Sequence, residues 1–370
     1  MIALKGRIAV VLPGFQGGGA ERVVLSVARA MANAGYSVTV IVLSGKGPLR
    51  ELVSDEIRIV ELAEPRLRNA VGKLRRALAD AEPDTILSTM GYLNVGVVLA
   101  TLFHPKLHGT RIVLREANMP FVTATALGSE LLTRFAYRFL YRRAAAVLCN
   151  SQRMLDEMVA YGVDRRRLCL VENPVDAAAV RRNAVPIRRR EGPGPHFVAI
   201  GRLVPQKGYD RLLDWMKADP VSATVTILGD GPERGSLEAS IDGSPLAGQI
   251  IMPGFKRDSS AYLAGSDALL LPSRWEGMPN VALEALALGI PVIASSEAGG
   301  IGELAAECPD IVTVVQDGPS FTAAMRRVAV RDDFTLPPCR LPSRFMLDRV
   351  VARYKTILFS EDREQGPPCR

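Results

Sequence analysis

Two tandem α/β domains, each a parallel sheet wound on both faces by helices, are what the sequence predicts. Three observations carry that expectation. Short apolar runs alternate with segments of helical spacing from "RIAVVLP" to "IVTVV". The alternation breaks at "NAVPIRRREGPGPHF", where proline, glycine and a basic run interrupt it. A chain of 370 residues exceeds one ordinary core and suits two domains of about 150–200 residues each.

The first series opens on the strand "RIAVVLP", turns through Gly14 and three further glycines, and runs into "AERVVLSVARAMANAG", a helix stopping at Gly35. "YSVTVIVLS" follows as a β-branched strand, so the opening is a β–α–β unit. "DTILST", "RIVLRE" and "AAVLCN" repeat the alternation. The second series begins at "HFVAIGR" and continues through "ATVTILGDG", "QIIMPGF", "DALLLPS", "PVIAS" and "IVTVV". The domains expected are 1–183, a linker over 184–195, and 196–344, with a helix over 345–360 closing the first domain. Folds of this class bind ligands at the carboxyl ends of their strands, so a cleft there is expected.

Composition limits the function. Hydrophobic content of 48% with 23% charged residues describes a globular chain. No apolar run approaches the roughly 20 residues that span a bilayer. Lys5, Gly6 and Arg7 interrupt the N-terminal stretch, which is read as a lead-in to a strand and not as a signal peptide. Cys149, Cys169, Cys308, Cys339 and Cys369 are scattered, odd in number and without a Cys-x-x-Cys pair. That spacing speaks against a disulfide framework and a zinc site, and for a cytosolic chain. "HPKLH" at His104–His108 has a proline inside and no third ligand near, so no metal is expected. Net charge of +7 with a pI near 9.3 calls for an anionic partner. With no nucleic-acid-binding motif and 6% aromatics, a nucleic-acid partner is not expected.

"PGFQGGGAERVV" is a glycine-rich turn opening onto a helix. It fails the dinucleotide fingerprint, because Arg22 stands at the third glycine, and it fails the Walker pattern, because Ala20 and Glu21 replace lysine and the hydroxyl. What remains is a loop without side chains at a helix start, able to approach an anion or a sugar or to serve as a tight structural turn. In "AIGRLVPQKGYD" a strand ends at Gly201, and the loop presents Arg202 and Lys207, a cation pair suited to clamping a diphosphate.

"LLLPSRWEGMPNVALEALALGIPVIAS" holds Glu276 and Glu284 in an otherwise apolar or turn-forming stretch. With Pro279 in its first turn and Gly289 at its end, a helix places Glu276 in the loop before it and Glu284 just over a turn inside. The N–H groups of Gly277, Met278 and Asn280 then face an anion at the positive end of the helix. Carboxylates accept from hydroxyls, so a sugar suits Glu276 and a ribose suits Glu284.

The E-x7-E stretch "EGMPNVALEALALGIPVIAS", with "GRLVPQKG", "LGDGPE", "GGGAERV", "CNS" at 149–151 and "VENPVD" at 171–176, resembles family 4 of the retaining glycosyltransferases, the group 1 glycosyl transferases of bacterial polysaccharide and glycolipid assembly. The resemblance covers nearly the whole chain and implies the GT-B fold. It implies that Arg202 and Lys207 hold the donor diphosphate, Glu284 the ribose and Glu276 the transferred sugar, with Arg202, Lys207 and Glu276 the catalytic set. Gly18 and Gly19 would lie near donor phosphate or acceptor, and Gly201, Gly254, Phe255, Gly277, Met278 and Asn280 would complete the donor side. Such enzymes need neither cofactor nor metal. One departure stands out: "REANMP" carries Ala117 where many relatives have arginine. Gly17, Arg115, Glu116 and Asn118 are the candidates for touching sugar or acceptor, Arg115 and Asn118 foremost.

"LLTRFAYRFLYRRAAAV" spaces Arg134, Arg138 and Arg142 along one side of a helix, beside Leu131, Phe135, Phe139 and Leu140. An arginine row bordering apolar rings suits an anionic membrane or a core helix with a wet basic side. Arg66, Arg68, Lys73, Arg75 and Arg76 favour the membrane. The activity expected is transfer of a hexose or N-acetylhexosamine from a nucleotide-diphosphate sugar, a UDP-sugar first of all, to a lipid-linked or cell-surface saccharide at the cytoplasmic membrane face. A same-fold nucleotide-sugar epimerase, a transferase with a soluble acceptor, and an inactive nucleotide-sugar-binding module are the alternatives.

Overall fold

The computed structural model describes residues 5–102, 104–187, 194–331 and 335–359. Cys369, position 360 of the expected closing helix and positions 188–193 of the expected linker lie outside these residues. The chain divides into two units, Met1–Pro174 with Asp348–Arg370, and Val175–Leu347. The division falls ahead of the stretch 184–195, because the helix Ala177–Asn183 packs within the second unit: Arg181 Nη1 donates to Ala287 O at 3.0 Å.

In the first unit the strands are β1 (Arg7–Leu12), β2 (Ser37–Val42), β3 (Arg58–Glu61), β4 (Thr85–Thr89), β5 (Arg111–Arg115), β6 (Ala146–Cys149) and β7 (Leu168–Leu170). Between them run α1 (Gly19–Asn33), α2 (Leu67–Ala81), α3 (Gly91–Thr101), α4 (Pro120–Leu127), α5 (Glu130–Phe139) and α6 (Gln152–Ala160). The sheet order is β3-β2-β1-β4-β5-β6-β7, parallel throughout, with Ile8 opposite Val38 and Val10 opposite Leu87. Reversal of strand order at β1 and β4 is the doubly wound pattern. Because side chains alternate along a strand, Ala9 and Val11 enter one apolar core while Ile8, Val10 and Leu12 enter the other. Both faces are therefore buried, which is why β1 reads as an unbroken apolar run.

The second unit opens on α7 (Ala177–Asn183) and then alternates β8 (His196–Ile200), α8 (Tyr209–Ala218), β9 (Thr224–Leu228), α9 (Arg234–Ile241), β10 (Ile250–Gly254) and α10 (Ser260–Ala264). It continues through β11 (Ala268–Leu271), α11 (Asn280–Leu288), β12 (Val292–Ser295), α12 (Ile301–Glu307), β13 (Val312–Val315) and α13 (Gly318–Arg326). Its parallel sheet is ordered β10-β9-β8-β11-β12-β13, again reversing at its first strand. The last helix, α14 (Leu347–Phe359), lies against the first sheet. There Val350, Tyr354, Ile357 and Leu358 join the core of β1 and β2, and Phe359 stacks on Tyr36 at 4.3 Å.

Cys149, Cys308 and Cys339 are free thiols, whereas Cys169 is disulfide-bonded. That departs from the reading of a chain without disulfides, since spacing along a chain does not show which segments folding brings together. No helix among the described residues is long and apolar enough to cross a membrane.

Candidate functional site

In the second unit the strand ends are tied to one another. Gly201 N donates to Leu228 O at 2.9 Å and Gly229 N to Gly254 O at 3.1 Å, so the ends of β8, β9 and β10 meet at one edge. Gly229 has φ +148°, and a Cβ there would stand 1.9 Å from Gly201 O. Only glycine fits that approach. Gly201 and Gly254 are thus neighbours through Gly229, and Phe255 follows as an exposed ring.

The loop after β8 carries Arg202 to the surface, where its side chain has no hydrogen-bond or ion-pair partner among the described residues. A single 3-10 turn, Pro205–Lys207, then brings Lys207 inward. Lys207 Nζ donates to Glu276 Oε1 at 2.5 Å, with side-chain exposures of 17% and 10%. In a largely desolvated pair of this kind the cost of desolvation offsets much of the attraction, but removing one member strands the other. Ser273 Oγ donates to the same Oε1 at 3.0 Å, and Gln206 Nε2 donates to Oε2 at 3.4 Å and to Trp275 O at 2.9 Å. Beneath them Tyr209 is buried, and burial and then the Glu276 charge push its hydroxyl well above the ordinary tyrosine range.

Two arginines brace the loops around this pair. Arg274 holds Asp210 through its two terminal guanidinium nitrogens at 2.7 and 2.6 Å and donates to Pro205 O. Arg211 donates to Pro272 O and Ser273 O, each at 2.7 Å, and pairs with Glu297. Bidentate, charge-assisted bonds fix orientation as well as position. The loop before α12 closes on the other side: Gly300 N donates to Gly277 O at 2.7 Å, and a Cβ on Gly299 would meet Glu276 O at 2.2 Å.

Helix α11 begins at Asn280 with Pro279 as its N-cap, one position later than the sequence suggests, and ends at Gly289 with φ 73°. Nearly all of it is core: Val281, Ala282, Leu283 and Ala285 to Leu288 are buried, as is Met278 before it. Asn280 and Glu284 are its two half-buried positions. The candidate donor residues Arg202, Lys207, Glu276, Gly277, Asn280 and Glu284 thus lie on the loops after β8 and β11 and on the first turns of α11. Gln206, Ser273, Arg211 and Arg274 were not among the sequence candidates, although Gln206 and Ser273 stand inside the motifs "GRLVPQKG" and "DALLLPS".

The candidates of the first unit separate into two groups. Gly17 (φ +93°) and Gly18 precede α1, whose N-cap is Gly18 and whose first residue is Gly19. Asn118 is half-buried, its amide donating to Met90 Sδ at 3.6 Å. Met90 itself has φ 81°, a conformation that residues with side chains rarely adopt. Arg115 and Glu116, by contrast, are 2% and 0% exposed. Arg115 donates to Thr89 Oγ1 at 3.2 Å and Asn173 Oδ1 at 2.7 Å. Glu116 accepts from Tyr141, from Asn94 at 3.0 Å and from Tyr137 at 3.5 Å. Burial raises the Glu116 pKa, and the tyrosine and asparagine donors only partly offset it. Both side chains are buried and hydrogen-bonded within the first unit.

On α5, Leu131, Leu132, Phe135 and Phe139 are exposed, at 79%, 61%, 58% and 44%. The Phe135 and Phe139 rings meet at 4.6 Å. The arginine row is less regular than its spacing implies. Arg134 pairs with Glu130 at 2.9 Å, donates to Ala160 O and lies over Tyr161. Helix α5 ends at Phe139, so Arg142 lies in the 3-10 turn Leu140–Arg143, over the Phe139 ring at 5.3 Å. Arg138 remains exposed.

Known proteins share this fold. Residues 181–315 match the family described as glycosyl transferases group 1, and residues 18–174 match the glycosyl transferase 4-like domain. The chain is 24% identical to the lipopolysaccharide core biosynthesis glycosyltransferase LpsE of Rhizobium meliloti, over 76% of this chain and 77% of that protein. It is 23% identical to the Campylobacter jejuni N-acetylgalactosamine-N,N'-diacetylbacillosaminyl-diphospho-undecaprenol 4-alpha-N-acetylgalactosaminyltransferase, over 80% of this chain and 83% of that protein. Among solved structures, Anabaena Alr3699/HepE in complex with UDP and glucose has the same fold, with a TM-score of 0.74 at 17% identity, covering 95% of this chain and 98% of that one. The two matched domains and the paired doubly wound sheets make the chain a GT-B glycosyltransferase belonging to family 4, the group 1 glycosyl transferases.

Proposed function

We propose that the chain is a retaining, metal-independent glycosyltransferase of polysaccharide assembly. It moves a hexose or N-acetylhexosamine from a nucleotide-diphosphate sugar, a UDP-sugar above all, to a lipid-linked or cell-surface saccharide at the cytoplasmic face of a membrane. The observation that carries the donor half is the desolvated Lys207–Glu276 pair, which ties the loop after β8 to the loop ahead of α11. It sets a cation and a hydroxyl-accepting carboxylate beside the backbone N–H groups of a helix start, the chemistry a sugar diphosphate needs. The neighbour holding UDP and glucose supports a uridine donor, and the relatives named for lipopolysaccharide core and diphospho-undecaprenol products support a lipid-linked acceptor.

In this reading the acceptor oxygen bonds to the anomeric carbon on the leaving-group face as the bond from that carbon to the phosphate oxygen breaks. The acceptor proton passes to the departing phosphate oxygen. Lys207, Arg202 and the first N–H groups of α11 neutralise the charge gathering on the diphosphate, Glu276 holds the moving sugar and Glu284 the ribose. Preorganised donors aimed at a leaving group lower the barrier more than any other device open to such a site. The exposed apolar row of α5, with Arg138 and Arg142 beside it, is the face offered to anionic lipid.

A thermal-shift panel of nucleotide sugars, run with and without EDTA, tests the donor half. A ligand at 100 times its Kd adds about 2.7 kcal/mol to stability. A UDP-sugar is expected to give the largest shift, unaltered by EDTA. A panel in which no nucleotide sugar raises the melting temperature would falsify the reading.

A further inference from the structure

We infer that Ser273 and Gln206 are positioning residues that hold the Glu276 carboxylate in place when Lys207 turns to the leaving diphosphate. The inference rests on the donor-site reading above. Glu276 Oε1 accepts from both Lys207 and Ser273, while Oε2 accepts from Gln206. Each carboxylate oxygen therefore has a neutral donor, and Oε1 has the cation as well.

The charges of the three partners differ, and that difference divides their work. A diphosphate attracts the Lys207 ammonium, which is then shared or lost to Glu276. The hydroxyl of Ser273 and the amide of Gln206 carry no net charge and have no comparable reason to move. Glu276 is only 8% exposed, so water does not readily replace a lost donor. A desolvated carboxylate left with nothing but Lys207 would follow the ammonium toward the diphosphate or repel it. Held at both oxygens, it stays where the transferred sugar can meet it.

The holders are themselves held. Arg211 fixes the loop of Ser273 through Pro272 O and Ser273 O. Gln206 is locked by its second bond, to Trp275 O, and by its carbonyl, which accepts from Arg274 N at 2.8 Å. Ser273 is buried, so its hydroxyl is not a surface group that happens to lie nearby.

The test compares wild type with Ser273→Ala, Ser273→Thr and Gln206→Met, using UDP and UDP-glucose as probes. Calorimetry gives the two affinities, and release of UDP from UDP-glucose gives kcat and KM for hydrolysis. UDP lacks the sugar, so its Kd should change less than about twofold in all three variants. Relative to wild type, Ser273→Ala and Gln206→Met should lose roughly tenfold in kcat, or in the affinity of UDP-glucose relative to UDP. Ser273→Thr keeps a hydroxyl and should recover most of that loss. Variants equal to wild type in both readouts overturn the positioning role, as does a loss of UDP affinity that runs in parallel with the loss of turnover, the mark of a loop that has only come unfolded. A wild type that binds neither UDP nor UDP-glucose overturns the donor-site reading, and the positioning role falls with it.

Discussion

Lys207 Nζ lies 2.5 Å from Glu276 Oε1, while the Arg202 side chain stands exposed on the same loop without a partner among the described residues. The two candidate diphosphate cations therefore differ in their surroundings. One is paired and largely buried, the other exposed to solvent.

This difference separates the expected effects of removing them. Lys207→Ala and Arg202→Ala should each raise the barrier to transfer by about 2.7–4 kcal/mol, the usual cost of losing one stabiliser of developing charge. Stability should respond to only one of them. Lys207→Ala leaves Glu276 buried without its cation, a loss capped by the about 3–5 kcal/mol typical of a broken buried pair and softened by Ser273 and Gln206. Arg202→Ala should leave the melting temperature where it was. Activity assays at saturating donor, beside thermal melts, check both halves. Wild-type kcat in either variant would remove that cation from the mechanism.

Turnover should also be indifferent to chelators. In this reading Lys207, Arg202 and the start of α11 supply the positive charge that a bound divalent cation gives other transferases. Rates measured in EDTA should match those measured in magnesium. Loss of activity in EDTA, restored by magnesium or manganese, would show that the diphosphate is neutralised in another way.

The doubly wound sheets were legible because burial on both faces forces unbroken apolar strands, and "RIAVVL" and "ALLL" read that way directly. The loops after β8 and β11 stood out as candidates because glycines, a cation pair and two acids are rare company for such strands. The burial of Arg115 and Glu116 was not legible, for a physical reason. At the end of β5 they look like loop charges, and the groups that take them inward, Thr89, Asn94, Tyr137, Tyr141 and Asn173, are distant in sequence. The regular spacing of Arg134, Arg138 and Arg142 hid Glu130, which lies just before the apolar stretch and neutralises the first of them. Gln206 and Ser273 lay inside recognised motifs, but neutral side chains announce no chemistry until their partner is seen.

Burial raises the Glu116 pKa above the ordinary value of 4.5, so folding opposes its ionisation. Its contribution to stability is then fully present below pH 4.5 and is lost as pH rises toward the higher folded value, because the unfolded chain gives up that proton first. Glu116→Gln keeps an acceptor for the Tyr141 and Asn94 donors and cannot ionise. The stability of this variant relative to wild type should therefore increase as pH climbs from below 4.5 toward neutrality. Melting curves of both proteins across that range give the difference directly, since other titrating groups cancel. A difference that is flat with pH would mean that Glu116 is ionised at no cost in the fold.

Four exposed apolar side chains on α5, Leu131, Leu132, Phe135 and Phe139, make the strongest case for a lipid surface, and they outweigh the arginines. Burying a leucine or phenylalanine fully is worth about 1.5–3 kcal/mol, against about 1 kcal/mol for a basic residue near an anionic membrane. Arg134 adds little, being paired with Glu130, so the charge rests on Arg138 and Arg142. The protein should pellet with phosphatidylglycerol vesicles and much less with neutral ones. Leu131→Gln with Phe135→Gln should weaken that binding at low and high salt alike. Arg138→Gln with Arg142→Gln should weaken it chiefly at low salt, where charge is least screened. Arg134→Gln should bind as wild type does. All of these positions lie on the first unit, so UDP-glucose hydrolysis, which reads the candidate donor residues of the second, should persist in each variant. Pelleting that is equal for the wild type and the Leu131/Phe135 pair would show that α5 does not dock on lipid, and the basic balance of the chain would then belong to another anionic partner.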